Sequence, residues 1–139
     1  MIRTQNGFTL IEAIVTVAII AIIASIAVNY YEEQKRRGYR QEAISALTEM
    51  SVRQEREFSK LGHYTNDMTK LYRATTTTNG KYNLSATYGT SPDVYLLTAT
   101  ATASQTADTD CARFTLNQLG ERLAYDDSNA VSTRNCWSR

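Results

Sequence analysis

The feature that most constrains this chain is an apolar run from Phe8 to Val28, interrupted by one acid at Glu12. Thr9, Thr16 and Ser25 are its only other polar side chains. As a helix the run is roughly 31 Å long, about one hydrocarbon core. A helix that is apolar on every side must be surrounded by lipid or by partner helices. The chain has 139 residues, too few to build a core that swallows such a helix. A membrane anchor is therefore predicted. A removable secretory signal is the rival, because Ser25-Ile26-Ala27 has the small-x-small spacing of a signal peptidase site. Glu12 speaks against it, since the apolar region of a signal carries no charge. A carboxylate costs roughly 2.5–3.5 kcal/mol at the centre of a membrane helix and less near its end. An acid in that position implies a cation as partner. A cation on another chain is the candidate, which points to assembly rather than catalysis.

Composition narrows the partners. Fifteen Lys+Arg stand against 14 Asp+Glu, so there is no basic excess to favour nucleic acid. Nine Tyr and the threonine clusters Thr75–Thr78 and Thr98–Thr102 suit an extracytoplasmic sheet surface. Cys111 and Cys136 are the only cysteines, and no His lies near them. A disulfide is the expected state, with a metal pair or two reduced thiols as alternatives. Closing a loop of about 26 residues stabilises a fold by on the order of 3.5 kcal/mol in the chain-entropy picture.

Beyond the anchor, residues 34–60 are rich in Glu, Arg, Gln, Ala and Leu, all good helix formers. Ile44, Leu47, Met50, Phe58 and Leu61 form an apolar stripe at helical spacing, with a polar gap at Gln54. One continuous helix from about Phe8 to about Leu61 is predicted, with Gly38 a weak point and Gly62 its end. Strands are predicted over 81–88, 93–102, 111–118 and 121–125, with turns at 89–92, at 105–110 and at Gly120. Met68 to Tyr72 is predicted to form a short turn. The fold class is α+β, an antiparallel four-stranded meander packed on the second half of the helix. Residues 126–139 read as irregular and tied down by Cys136.

No constellation for catalysis is present. His63 is the sole histidine and reads as a surface hydrogen-bonding residue. No phosphate-binding or dinucleotide fingerprint occurs. Asp108 and Asp110, or Asp126, Asp127 and Asn129, offer oxygen ligands but match no calcium-loop spacing, and read as turn and capping residues. No metal, no cofactor and no enzymatic activity are expected. Arg36, Arg37, Tyr39 and Arg40 interleave charge with an aromatic ring, and read as a solvated helix face near a membrane. Trp137 is expected to pack over the disulfide.

Gly7-Phe8-Thr9-Leu10-Ile11-Glu12 resembles the processing and assembly motif shared by type IV pilins and pseudopilins. That resemblance implies a leader over residues 1–7, a membrane-spanning and filament-core helix half over 8–28, and a globular domain over 29–139. It implies cleavage between Gly7 and Phe8 by a prepilin peptidase, N-methylation of Phe8, and neutralisation of the Phe8 amine of a neighbouring subunit by Glu12. It also implies a pilus assembly platform as partner, a single-pass inner-membrane state with the C-terminal side in the periplasm, and an extracellular pilus after assembly. Many major pilins carry a proline near the end of the apolar stretch, where this chain has Asn29. Gln54-Glu-Arg-Glu-Phe58, Gly62-His-Tyr-Thr65, Asp110-Cys111, Thr115-Leu-Asn-Gln-Leu-Gly120 and Cys136-Trp137 resemble the PilE-like minor pilins, whose C-terminal disulfide bounds a surface region. The expected function is that of a minor pilin supporting pilus biogenesis, adhesion, twitching motility or DNA uptake. A type II secretion pseudopilin and a released periplasmic binding domain are the alternatives. Lys35, Arg36, Arg37 and Arg40 follow the apolar run while only Arg3 precedes it. The positive-inside tendency therefore opposes the topology that the resemblance implies.

Overall fold

The computed structural model describes residues 8–88, 91 and 93–138, without the side chains of Asn29 and Ala103. The leader, Gly7 and most of the 89–92 turn lie outside the described residues. The chain divides into two compact units, Met1–Lys35 and Arg36–Arg139.

One helix, α1, is assigned over Leu10–Leu61, and its backbone stays helical through Asn29 and Gly38. No proline interrupts this span, so no backbone donor is lost. Thr9 caps its start: the Thr9 hydroxyl accepts from the Glu12 N–H at 3.4 Å. Thr9-x-x-Glu12 is the residue pattern of a capping box, and it places an acid in the first turn where the helix dipole favours one. At the other end Gly62 adopts φ +73° and donates to the Phe58 carbonyl at 2.8 Å. That left-handed conformation is open to glycine at little cost, so Gly62 terminates the helix.

Within the second unit, Ala43, Ala46, Leu47 and Met50 of α1 are buried. Their spacing places them on one helical face. Gln54 continues that face and is fully buried, so the polar gap in the sequence is not a gap in the packing. The Gln54 amide donates to the Thr65 carbonyl at 2.5 Å and accepts from the Thr65 N–H at 2.9 Å. This reciprocal pair holds the chain where it turns back after α1. Ile44 and Phe58 are only partly buried, and Leu61 is exposed, so the stripe fades at its distal end.

A four-residue helix, α2 (Met68–Leu71), follows. Asp67 caps it by accepting from the Thr69 N–H and hydroxyl, the latter bond first in holding the Asp67 carboxyl below its ordinary range. The sheet has the order β1-β2-β3-β4, with β1 Tyr82–Tyr88, β2 Tyr95–Ala101, β3 Arg113–Asn117 and β4 Arg122–Tyr125, every pair antiparallel. The register puts Leu84 opposite Ala99 and Leu97 opposite Leu116. Alternation then buries Tyr82, Leu84, Tyr95, Leu97, Phe114 and Ala124 on one face. The predicted strands are thus observed, β1 and β4 trimmed at their starts and β2 and β3 at both ends. Residues 103–107 and 109–111 form two 3-10 turns where the sequence showed only a turn.

Both outer strands are partly covered. On β1, Thr77 donates to the Tyr82 carbonyl and Leu84 to the Thr75 carbonyl, at 2.9 and 2.8 Å. On β4, Ser132 donates to the Ala124 carbonyl at 2.8 Å and Val131 bridges Tyr125. The C-terminal segment therefore borders the sheet rather than hanging free of it.

Candidate functional site

The first unit carries the apolar run and Glu12. From Phe8 to Val28 the large apolar side chains are 49–79% exposed, so nothing in the described chain covers them. Its polar groups are satisfied locally: Thr16 donates to the Glu12 and Ala13 carbonyls, both at 2.9 Å, and Ser25 to the Ile22 carbonyl at 2.7 Å. Hydroxyls bonded in this way add no unpaired donor to a hydrocarbon environment. Glu12 is the exception. It is exposed, and no described cation lies within ion-pair distance of it. Tyr30 and Tyr31 follow the apolar run and are exposed, as aromatic rings at a membrane interface are. Lys35 lies 5.5 Å over the Tyr31 ring and 3.5 Å from Glu32.

The second unit holds a buried polar clamp that the sequence did not reveal. Arg40 grips Asp108 in bidentate fashion, Nε to Oδ2 at 2.5 Å and a terminal nitrogen to Oδ1 at 2.6 Å. Gln105 donates to Asp108 Oδ2 at 3.0 Å, to the Tyr82 hydroxyl at 3.1 Å and to the Arg36 carbonyl at 3.4 Å. The Arg40 and Asp108 side chains are 12% and 3% exposed. One cation of the basic cluster after the anchor is thereby engaged inside the fold. Asp108 serves that clamp, Asp110 pairs with Arg134 at 3.0 Å, and Asp126 organises a turn through Ser128 and Ala130. Hydrogen bonds from the Ser128 hydroxyl and then the Ala130 N–H hold the Asp126 carboxyl below its ordinary range. His63 donates from Nδ1 to the Tyr64 carbonyl at 2.8 Å.

Cys111 and Cys136 are joined in a disulfide, both sulfurs buried. Trp137 packs edge-on against Phe114, centroids 5.6 Å apart, and donates to the Leu123 carbonyl at 3.0 Å. Trp137 thus packs against the core cluster that contains Phe114, Cys111 and Cys136. Around it the β3–β4 hairpin shows two guanidinium–ring pairs: Arg113 lies 4.1 Å from the Tyr125 centroid and Arg122 lies 5.5 Å from that of Trp137. Arg113 Nε is buried without a hydrogen-bond partner.

Comparison with known proteins agrees with both units. Residues 2–28 match the family described as the prokaryotic N-terminal methylation motif, and residues 30–115 match the type IV minor pilin ComP, DNA uptake sequence receptor. Among solved structures, a type IV pilin from Shewanella oneidensis is 25% identical. It has a TM-score of 0.54, over 75% of this chain and 99% of that one. The Neisseria meningitidis non-core minor pilin PilV is 23% identical, with a TM-score of 0.55 over 73% and 98% of the two chains, and it supports the fold alone. A structural subunit that associates with other pilins, anchored by its apolar helix before it joins a pilus, accounts for both units. The chain belongs to the ComP family of type IV minor pilins.

Proposed function

We propose that this minor pilin is cut between Gly7 and Phe8 by a prepilin peptidase and methylated at Phe8. It then enters the filament through a charge pair between its Glu12 and the Phe8 amine of a neighbour. The observation that carries this reading is an uncovered apolar helix with one carboxylate in its first turn that has no ion pair among the described residues. In hydrocarbon two opposite charges attract strongly, and either one alone is costly. The reading places the second unit on the periplasmic side, where the disulfide is stable, with an assembly platform in the membrane as a further partner. No enzymatic activity is assigned to it. Glu12→Gln is expected to leave cleavage and membrane insertion intact while removing the chain from sheared pili. Mature protein that begins at Val28, or undiminished incorporation of Glu12→Gln, refutes the reading.

A second reading, DNA uptake, has the family description and the hairpin in its favour. Near-neutral composition speaks against broad phosphate binding. Yet Arg113 on Tyr125 and Arg122 on Trp137 present flat cationic stacks, the chemistry that receives bases and phosphates. Fluorescence anisotropy with duplex DNA over a salt series tests it. Binding that weakens with salt and is lost in Arg113→Ala with Arg122→Ala supports the reading, and salt-insensitive or absent binding overturns it.

A further inference from the structure

Asn6-Gly7 and Asn79-Gly80 are the two Asn-Gly pairs of the chain, and Asn79-Gly80 is the one among the described residues. An asparagine followed by glycine has a chemistry of its own. With no Cβ on the second residue, its backbone nitrogen reaches the asparagine carboxamide with little hindrance. Asn79 and Gly80 are both exposed, on the stretch between α2 and β1. Gly80 takes φ +64°, and a Cβ placed on it would meet nothing within 4 Å. Hydrogen bonds nevertheless hold the pair still. The Gly80 N–H donates to the Thr77 carbonyl at 2.8 Å. Glu42 of α1, itself partly buried, accepts from the Asn79 N–H through Oε1 at 2.8 Å and from the Asn79 side-chain amide through Oε2 at 3.0 Å. One carboxylate thereby fixes both the backbone and the side chain of Asn79. It also ties to α1 the end of the segment that borders β1, where Thr77 donates to the Tyr82 carbonyl and Leu84 to the Thr75 carbonyl.

We propose that Asn79 is a site of spontaneous deamidation, that Glu42 restrains the reaction, and that the product unlatches the 75–80 segment from α1. The Gly80 nitrogen attacks Asn79 Cγ and a succinimide ring closes. The carboxamide nitrogen leaves as ammonia, taking the proton that the Gly80 nitrogen gives up. Water then opens the ring by breaking the bond from that nitrogen to Cγ or to the Asn79 carbonyl carbon, and returns a proton to the nitrogen. The first opening leaves aspartate and the second isoaspartate, and the net change exchanges water for ammonia. The observed hydrogen bonds oppose the first step. Attack requires the Gly80 N–H to leave the Thr77 carbonyl and the carboxamide to turn away from Glu42. An amide donates where a carboxylate only accepts. The product therefore loses the bond to Glu42 Oε2 and sets one carboxylate against another, which repel. The latch cannot close again once the amide is gone. This chemistry is independent of the filament role and of Glu12.

The test has two arms. In the first, the full chain in a non-ionic detergent is aged in mildly alkaline buffer, at a temperature where Trp137 fluorescence shows the second unit folded. Digestion and mass analysis then read conversion at each asparagine, with isoaspartate separated from aspartate. Asn79 is expected to convert ahead of Asn66, Asn83 and Asn117. Its rate should rise about tenfold or more in Glu42→Gln, which keeps the side-chain shape but has a single acceptor oxygen. No conversion at Asn79, or an equal rate in Glu42→Gln, overturns the proposal. A rise shared by the other asparagines marks loosening of the whole unit and overturns the restraint by Glu42. In the second arm, Asn79→Asp stands in for the product and amide hydrogen exchange is followed. Exchange at Thr77 and Leu84 should accelerate about tenfold while the β2–β3 ladder stays protected. Asn79→Ala, which removes the bond without adding a charge, should accelerate it less. Exchange in Asn79→Asp as slow as in the unaltered chain overturns the latch.

Discussion

Removing the acid of the buried clamp should unfold the second unit far more readily than any exposed charge change. Asp108→Ala deletes a carboxylate that is 3% exposed and takes two short bonds from Arg40 and a third from Gln105. Breaking a buried pair from one side costs about 3–5 kcal/mol, because the remaining charge keeps its desolvation penalty and loses its attraction. Gln105 adds to the loss, since its amide gives up one of three acceptors. For a unit of about a hundred residues this corresponds to a fall in Tm of roughly 15–30 °C. The single tryptophan, Trp137, lies against Phe114, so its fluorescence reports melting of this unit in the full chain in detergent. The double change Arg40→Met with Asp108→Leu removes both charges and should cost much less than Asp108→Ala alone. A loss below about 1 kcal/mol for Asp108→Ala would show that the clamp carries no net stability.

Other outcomes follow from the same structure. Cys111→Ser with Cys136→Ser should lower stability by about 3.5 kcal/mol in the chain-entropy account, measured by urea unfolding, and an unchanged midpoint would contradict it. Gln54→Leu keeps the volume but strands the Thr65 N–H and C=O, so about 2–4 kcal/mol should be lost, with hydrogen exchange at residues 62–66 accelerated. In alkali, burial raises the Tyr95 phenol from 10.0 to about 12 and moves Tyr82 in the same direction. The unfolded chain therefore releases these protons first. Stability should hold up to about pH 10 and decline from there towards pH 12. A melting temperature that is flat across that window would refute the assignment of both phenols as buried.

Much of this architecture was legible because it is local. The anchor announced itself through an apolar run, and α1 through the absence of proline and the spacing of Leu47 and Met50. Gly62 marked the stop. The strands showed in alternation, as in Tyr82 and Leu84, though their ends moved by one or two residues where turns took over. What stayed hidden was non-local. Arg40 and Asp108 are 68 residues apart, and each looked like an ordinary surface charge in its own neighbourhood. Gln54 looked like a defect in an apolar stripe because its partner is a backbone amide, which no side-chain pattern records. The hold of Glu42 on Asn79 was equally invisible, since the two residues are 37 positions apart.

The covered borders of the sheet have a consequence for how such a subunit meets its neighbours. Unpaired strand edges at high density invite strand addition, which zips chains into ladders that are hard to undo. Here the Thr75–Thr77 segment occupies part of one border and the segment around Val131 and Ser132 part of the other. Contacts between neighbouring globular units are then left to side chains, which separate one by one instead of as a backbone ladder. A subunit built this way can be packed tightly against its neighbours and still separate from them with its sheet intact.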